Sequence, residues 1–171
     1  MSQIIITSPS STGNATKYYG AFSDTTNQYQ TLTSNNLPIT LNTTDLSNGI
    51  SLTNPNEVLF EFDGTYNMTF SIQLVNVNVS IHDINIFLKK NGTPIDNSNS
   101  VVSVPNSHGG SDGHSIVCVN FMYEMLAGET LGLWWNVNSI DVSIQTIPLN
   151  PIPPAGYTPA SPSVIWTIQQ I

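Results

Sequence analysis

Charge is what this chain has least of. Lysine and arginine together number 3 in 171 residues, against 11 acidic side chains and a formal net charge of −8. Charged residues make up 8% of the sequence, where a soluble domain typically carries about 25%. Lys17 and the pair Lys89-Lys90 are the whole basic inventory, too little to neutralise a phosphate backbone or to dock on an anionic lipid surface. No nucleic-acid partner is expected. The acids are dispersed, so their repulsion aids solubility without defining a site.

Cysteine is almost absent too. The single Cys118 excludes a disulfide framework within one chain, and its place in the apolar run Ile116-Val117-Cys118-Val119 reads as a small buried hydrophobe. No run approaches the roughly 20 apolar residues needed to cross a bilayer, so membrane insertion is not expected. The opening MSQIIITSPSS has neither a basic n-region nor an adequate apolar h-region, so no secretory signal is expected there. The Asn-x-Ser/Thr matches at Asn14, Asn42, Asn67, Asn78 and Asn91 should then stay bare. A sustained 3.6-residue period is also missing. The best helical segment, Phe121 to Ala127, is stopped at once by Gly128.

In place of charge the chain has 20 Asn, 20 Ser and 18 Thr. Its exterior must be mostly uncharged amide and hydroxyl, as suits an extracellular or particle-surface module. At 18.6 kDa it is long enough for one domain with a substantial core. Residues 1–17 are Ser/Thr-rich and mostly unpatterned, although Ile4, Ile5 and Ile6 are sticky enough to pair with another surface; they read as an arm. The compact domain is expected over 18–171.

Within it, period two dominates. From Tyr66 to Leu74 every second side chain is large and apolar, as a half-buried strand demands. Further strands are expected at Ile81 to Leu88, Ser100 to Val104, Ser115 to Tyr123, Thr130 to Val137, Asp141 to Ile147 and Ser163 to Ile168, with shorter segments around Leu37 to Leu41 and Gly49 to Leu52. Asn91-Gly92 marks a tight turn, since both residues tolerate positive φ. Six prolines between Pro148 and Pro162 prevent regular pairing and predict a long outer loop before a final strand. The spacing belongs to an all-β sandwich or barrel.

Ala21-Phe22, Gly64-Thr65-Tyr66 leading into Phe70-Ser71, the Lys90-Asn91-Gly92 turn and Leu126-Ala127-Gly128-Glu129-Thr130-Leu131-Gly132-Leu133 together resemble the globular C1q/TNF-like jelly roll. That resemblance implies an antiparallel β-sandwich of about ten strands over 18–171, and a homotrimer that packs one sheet around a three-fold axis. The uncharged surface and the lack of a collagen stalk look more like the viral and bacteriophage relatives of that family. Trimerisation would then fall to the globular domain alone.

Neighbouring Trp134 and Trp135 point to opposite faces of one strand, so one can enter the sandwich while the other covers a neighbour. Phe121 and Tyr123 add bulk, and these four residues are the expected trimer contacts. The alternative, with both tryptophans in one core, stays open.

Chemistry-bearing patterns are thin. Asn106 and the segment Ser107-His108-Gly109-Gly110-Ser111-Asp112-Gly113-His114 bring two imidazoles and one carboxylate within seven residues on a Gly-rich loop. His nitrogen and Asp oxygen are competent metal ligands, yet the spacing matches no zinc signature and no EF-hand, so a metal role is left undecided. A Ser-His-Asp triad needs an oriented base and oxyanion donors, and no Gly-x-Ser-x-Gly elbow is present. Glu61 and Asp63 read as solvated strand ends, and His108-Gly109-Gly110 lacks the Lys-Ser/Thr of a phosphate cradle. No enzyme activity and no cofactor are expected. A polar recognition loop with Asn106, His108, Asp112, His114 and Tyr157 is the functional reading of this segment, and an ordinary turn is the structural one.

The expected function is a non-enzymatic homotrimeric structural protein of a virus or bacteriophage particle, a capsid decoration or head-fibre module. It would be assembled in the host cytoplasm, reside on the virion surface and attach to capsid or other virion proteins through Ile4, Ile5 and Ile6 by strand addition. The alternative is a receptor-binding tail or fibre tip whose loops recognise a host glycan or protein. A secreted binding module without a virion is a third reading.

Overall fold

The computed structural model describes residues 17–149 and 159–171. Its strands, in chain order, are β1 (Tyr19–Asp24), β2 (Gln28–Tyr29), β3 (Leu37–Pro38), β4 (Thr43–Asn48), β5 (Ile50–Asn54), β6 (Glu57–Phe60), β7 (Gly64–Asn76), β8 (His82–Lys90), β9 (Thr93–Pro94), β10 (Ser100–Val104), β11 (Gly113–Met125), β12 (Thr130–Val137), β13 (Val142–Ile144) and β14 (Val164–Gln170). All pairings are antiparallel, and no helix occurs among the described residues. Two sheets of seven strands each face one another.

The front sheet runs β2-β13-β7-β14-β1-β4, with β11 on the other edge of β7. The back sheet runs β10-β8-β12-β6-β5, with β3 against β12 and β9 against β8. Alternation builds the core between them. Tyr66, Met68, Phe70, Ile72 and Leu74 of β7 point inward and meet Ile84, Ile86 and Leu88 of β8 and Leu133 and Trp135 of β12 in one buried cluster. Each large apolar side chain sealed there contributes roughly 2–3 kcal/mol.

Several boundaries differ from expectation, each for a tertiary reason. The segment from Phe121 is no helical turn: it continues β11, whose 13 residues pair with β7 from Gly113↔Asn76 to Met125↔Gly64. A full ladder partner outweighs the local helix preference of Met, Glu and Leu. Cys118 is exposed, contrary to the buried reading, because Val117 and Val119 take the inward positions and the intervening residue faces out opposite Ser71. The strand expected from Asp141 to Ile147 stops at Ile144. One edge of β7 is shared, Leu74 to Asn76 by β13 and Tyr66 to Ile72 by β14, so the chain leaves the sheet after Gln145, whose N–H still donates to Gln73 O at 3.0 Å. The Asn91-Gly92 turn forms as expected, with φ of 49° and 77°.

The final strand after the proline tract is the most central of the front sheet, paired to β1 on one side and β7 on the other. Residues 150–158, within that tract, lie outside the described residues.

Two ends of the sandwich are defined by hydrogen bonds. At one end Tyr18 stacks on Phe62 with ring centroids 3.9 Å apart, its carbonyl accepts from Gln170 N–H at 2.8 Å, and Tyr66 Oη donates to the Phe62 carbonyl at 2.8 Å. The chain enters the sandwich there. At the opposite end the loops after β7, β10 and β12 are tied together by Val77 N–H to Asp141 O at 3.1 Å, Ser107 N–H to Asn78 O at 2.7 Å and Asn78 Nδ2 to Asp141 Oδ2 at 2.6 Å. Between β1 and β4, buried Asp24 accepts from Thr26 N–H at 2.7 Å, Thr40 Oγ1 at 2.8 Å and Asn42 Nδ2 at 3.2 Å. A carboxylate can be sealed at that depth because its lone pairs are occupied.

Candidate functional site

The outward faces of the two sheets are built differently, and the front one is the candidate site. Register places Tyr19, Ala21 and Ser23 of β1, Ile165, Thr167 and Gln169 of β14 and Asn67, Thr69 and Ser71 of β7 on one surface. None of these side chains is charged. β11 extends the surface with Ile116, Cys118, Asn120 and Met122 before Glu124 at its lower end. Apolar side chains stand out of it: Met122 is 66% exposed, Ile116 61% and Leu46 of β4 55%, with Ile165 and Tyr19 beside them. Tyr19, Leu46, Asn67, Thr69 and Thr167 line a shallow groove of about 380 Å³ across the sheet. Asn120 is bonded within the face, donating to Asn67 Oδ1 at 2.7 Å and Thr69 Oγ1 at 2.8 Å. The face is therefore free of charge over β1, β14 and β7, with Glu124 at one corner, and apolar in its protrusions, which makes its centre easy to desolvate.

The four residues singled out as trimer contacts sit elsewhere. Trp135 is 1% exposed in the core, sealed by its own chain and unable to reach a partner. Trp134 lies on the back sheet, with Lys89 Nζ 3.4 Å from its ring centroid, so its outer face is already covered. Phe121 and Tyr123 take the inward positions of β11 and pack half-buried against the core; the Phe121 ring lies 6.1 Å from Phe70. They close the open edge of the sandwich. The residue between them, Met122, faces outward and is exposed. Strand alternation set from Val117 inward would have found it, together with Ile116.

The His/Asp loop lies at the end opposite Tyr18. His108 and Ser111 close it through 2.9 and 3.1 Å backbone hydrogen bonds, and His108, Asp112 and His114 are exposed while Asn106 is half-buried. Among the described residues no three His, Cys, Asp or Glu side chains converge as a metal site. Ile4, Ile5, Ile6 and Tyr157 lie outside the described residues.

Two ionisable groups are perturbed, both near the Tyr18 end. Glu129 is held below the usual carboxylate range, first by the hydrogen bond from Leu126 N–H and then by Lys90 and Asn91, against the opposing effect of burial; Lys90 Nζ lies 3.0 Å from Glu129 Oε1. Burial pushes the Tyr66 phenol up, with Tyr18 and Asp63 adding to it. Each closes a turn, and neither faces a cavity.

No family model matches the chain, and no curated protein sequence matches it. Comparison of folds is informative where sequence is not. A crystal structure of murine APRIL, a TNF-family protein, superposes with a TM-score of 0.59 over 91% of this chain and 100% of that one, at 8% identity. The fold is a TNF-like jelly roll. At that identity the likeness extends to architecture alone, an all-β sandwich of two antiparallel sheets, and it is compatible with a trimeric protein.

Proposed function

We propose that this chain is a non-enzymatic, homotrimeric structural module of a virus or bacteriophage particle, a capsid decoration or head fibre, assembled in the host cytoplasm and displayed on the virion surface. The observation that carries the trimer is the front face: no charge on its three central strands, exposed Met122, Ile116 and Leu46, and a groove beside Tyr19. Burying its centre against a second copy removes apolar surface from water and strands no ion on β1, β14 or β7, the combination that drives subunit association. The groove runs from Leu46 on β4 to Asn67 on β7, the register partner of Met122, so groove and ridge form one continuous patch for a neighbouring copy, and identical contacts of this kind close into a ring when each copy rotates by the same angle.

The particle assignment rests on composition. An exterior of amides and hydroxyls with 8% charged residues supplies shape and repeated contacts in place of titratable chemistry. In this reading 18–171 form the jelly roll and 1–17 the attachment arm. Light scattering coupled to size exclusion tests the trimer: three chains per particle are expected, and a monomer persisting at high concentration defeats self-assembly. Deleting 1–17 should then preserve the trimer and abolish capsid attachment; full attachment by the truncated protein defeats the decoration role.

The receptor-binding reading is favoured by one observation. The loop of Asn106, His108, Asp112 and His114 sits at the end of the sandwich away from Tyr18, where the chain enters, so an anchored arm would leave it pointing outward. Host-cell or glycan binding lost on substitution in this loop, with capsid attachment absent, would select that reading.

A further inference from the structure

Asparagine precedes glycine twice, at Asn48-Gly49 and Asn91-Gly92. Both glycines have positive φ, 70° and 77°, but their surroundings differ. Gly49 is walled in, since a Cβ there would collide with the Tyr18 ring and lie 3.0 Å from Phe62. Asn48 is held in β4 opposite Tyr19, and its Nδ2 donates to the Lys17 carbonyl at 3.1 Å. Around Gly92 the equivalent position has nothing within 4 Å; both asparagines are exposed, but Gly92 is exposed where Gly49 is half-buried. The Asn91 carboxamide is oriented without being enclosed: Oδ1 accepts from Thr130 N–H at 2.7 Å and lies 3.5 Å from Thr130 Oγ1, while Asn91 N–H donates to Thr130 O at 3.0 Å.

We propose that Asn91 is a site of spontaneous deamidation in the folded protein, with the backbone nitrogen of Gly92 as nucleophile and water as the second reactant. The Gly92 nitrogen loses its proton to solvent base and bonds to Asn91 Cγ, closing a five-membered ring. Attack is intramolecular, so its entropic cost is already met by the chain, and glycine brings no Cβ to crowd it. The carbonyl electron pair moves onto Oδ1, where the Thr130 N–H stabilises the developing oxyanion. Collapse breaks the Cγ–Nδ2 bond, and with a solvent proton the nitrogen leaves as ammonia. Water then opens the succinimide at either carbonyl, leaving aspartate or isoaspartate at position 91. One water enters, one ammonia leaves, and nothing is oxidised or reduced.

The product has a consequence at the same turn. Asn91 lies near Glu129 and helps to keep it ionised; its replacement by a carboxylate adds a like charge near Glu129, whose partner Lys90 is 3.0 Å away. One added charge takes the formal net charge from −8 to −9. The Lys90–Glu129 turn that closes the β11–β12 connection is thereby loosened.

The test uses the full chain, incubated folded in mildly alkaline buffer and sampled by peptide mapping with isoaspartate-specific methyl labelling. Position 91 should convert on the order of tenfold faster than position 48, the ratio given by a barrier difference of about 1.4 kcal/mol. Ammonia release and a one-charge acidic shift on ion exchange should run in parallel. In denaturant the two sites should convert at comparable rates, because their local covalent chemistry is the same. Folded protein in which Asn48 keeps pace with Asn91, or in which Asn91 stays amidated while the denatured chain converts it, overturns the proposal. The product mixture tests the nucleophile: attack by the Gly92 nitrogen must yield isoaspartate beside aspartate at position 91, and aspartate alone would show that water attacks Cγ directly, which overturns it as well.

Discussion

The two outward sheet faces are cut from the same Asn/Ser/Thr-rich sequence yet finish their chemistry in different ways. On the back sheet the polar groups bond to one another across strands: Asn99 donates to Asn85 Oδ1 at 3.0 Å, Asn85 to Asn136 Oδ1 at 2.9 Å and Asn136 to Asn36 Oδ1 at 2.7 Å. Ser103 Oγ donates to Asp83 Oδ1 at 2.6 Å, and Lys89 covers Trp134. On the front sheet Met122, Ile116, Leu46 and Ile165 stand in water with nothing over them. The back face also exposes Val101 at its β10 edge, but its polar row is self-satisfied and gains little from a partner, whereas the front face has several apolar protrusions and gains for every square ångström covered. Composition is shared between the faces, and placement separates them.

The largest break in this contrast should come from charge on the front face. Met122→Lys combined with Ile165→Lys is expected to convert the proposed trimer to monomer by light scattering while leaving the far-ultraviolet spectrum intact, because buried unpaired charges defeat association and exposed ones leave the monomer fold alone. Asn136→Lys on the back face should leave the mass unchanged; if both faces respond alike, the front face is not special. Next in size is the pair of tryptophans. Trp135→Ala should lower unfolding free energy by about 3–5 kcal/mol in denaturant titration through loss of core volume, and Trp134→Ala by about 1 kcal/mol through loss of the Lys89 contact and partial cover. Equal losses would mean that Trp134 is as deeply structural as its neighbour.

A smaller effect is expected at the turn between the faces. Glu129→Gln removes the charge that Lys90 and Leu126 N–H share, at a cost of about 1 kcal/mol. Since the Glu129 pKa is lower folded than unfolded, its stabilisation is complete above the unfolded value and is lost as pH falls through the folded one. Thermal melts of wild type and variant should therefore converge in acid and separate toward neutral pH. The smallest change is Asn136→Ala, about 0.5–1 kcal/mol, from breaking the amide row where water can replace it.

Much of the fold was legible because period two is a local signal. Tyr66 to Leu74 alternates without a break, and β12 begins and ends at Thr130 and Val137 as the pattern predicts. The strand from Ser115 to Tyr123 was legible, but the exposure of Cys118 and the continuation of β11 to Met125 were not, since an apolar run carries no parity until its ladder partner is known. The same ambiguity hid the site. Ile116, Phe121, Met122 and Tyr123 are equally bulky in sequence, and only the register against β7 separates those that close the sandwich from those that face away.

By itself the sequence determined the class of molecule: a charge-poor, cysteine-poor, all-β chain with one core and turns at Asn-Gly and proline, because composition and alternation are properties of single residues and their immediate neighbours. Tertiary structure alone decided which strand became central, where β13 yields the edge of β7 to β14, and which face was left apolar and uncovered. Those outcomes depend on pairings between residues far apart in sequence, and one step of register would have sent every one of those side chains to the opposite face.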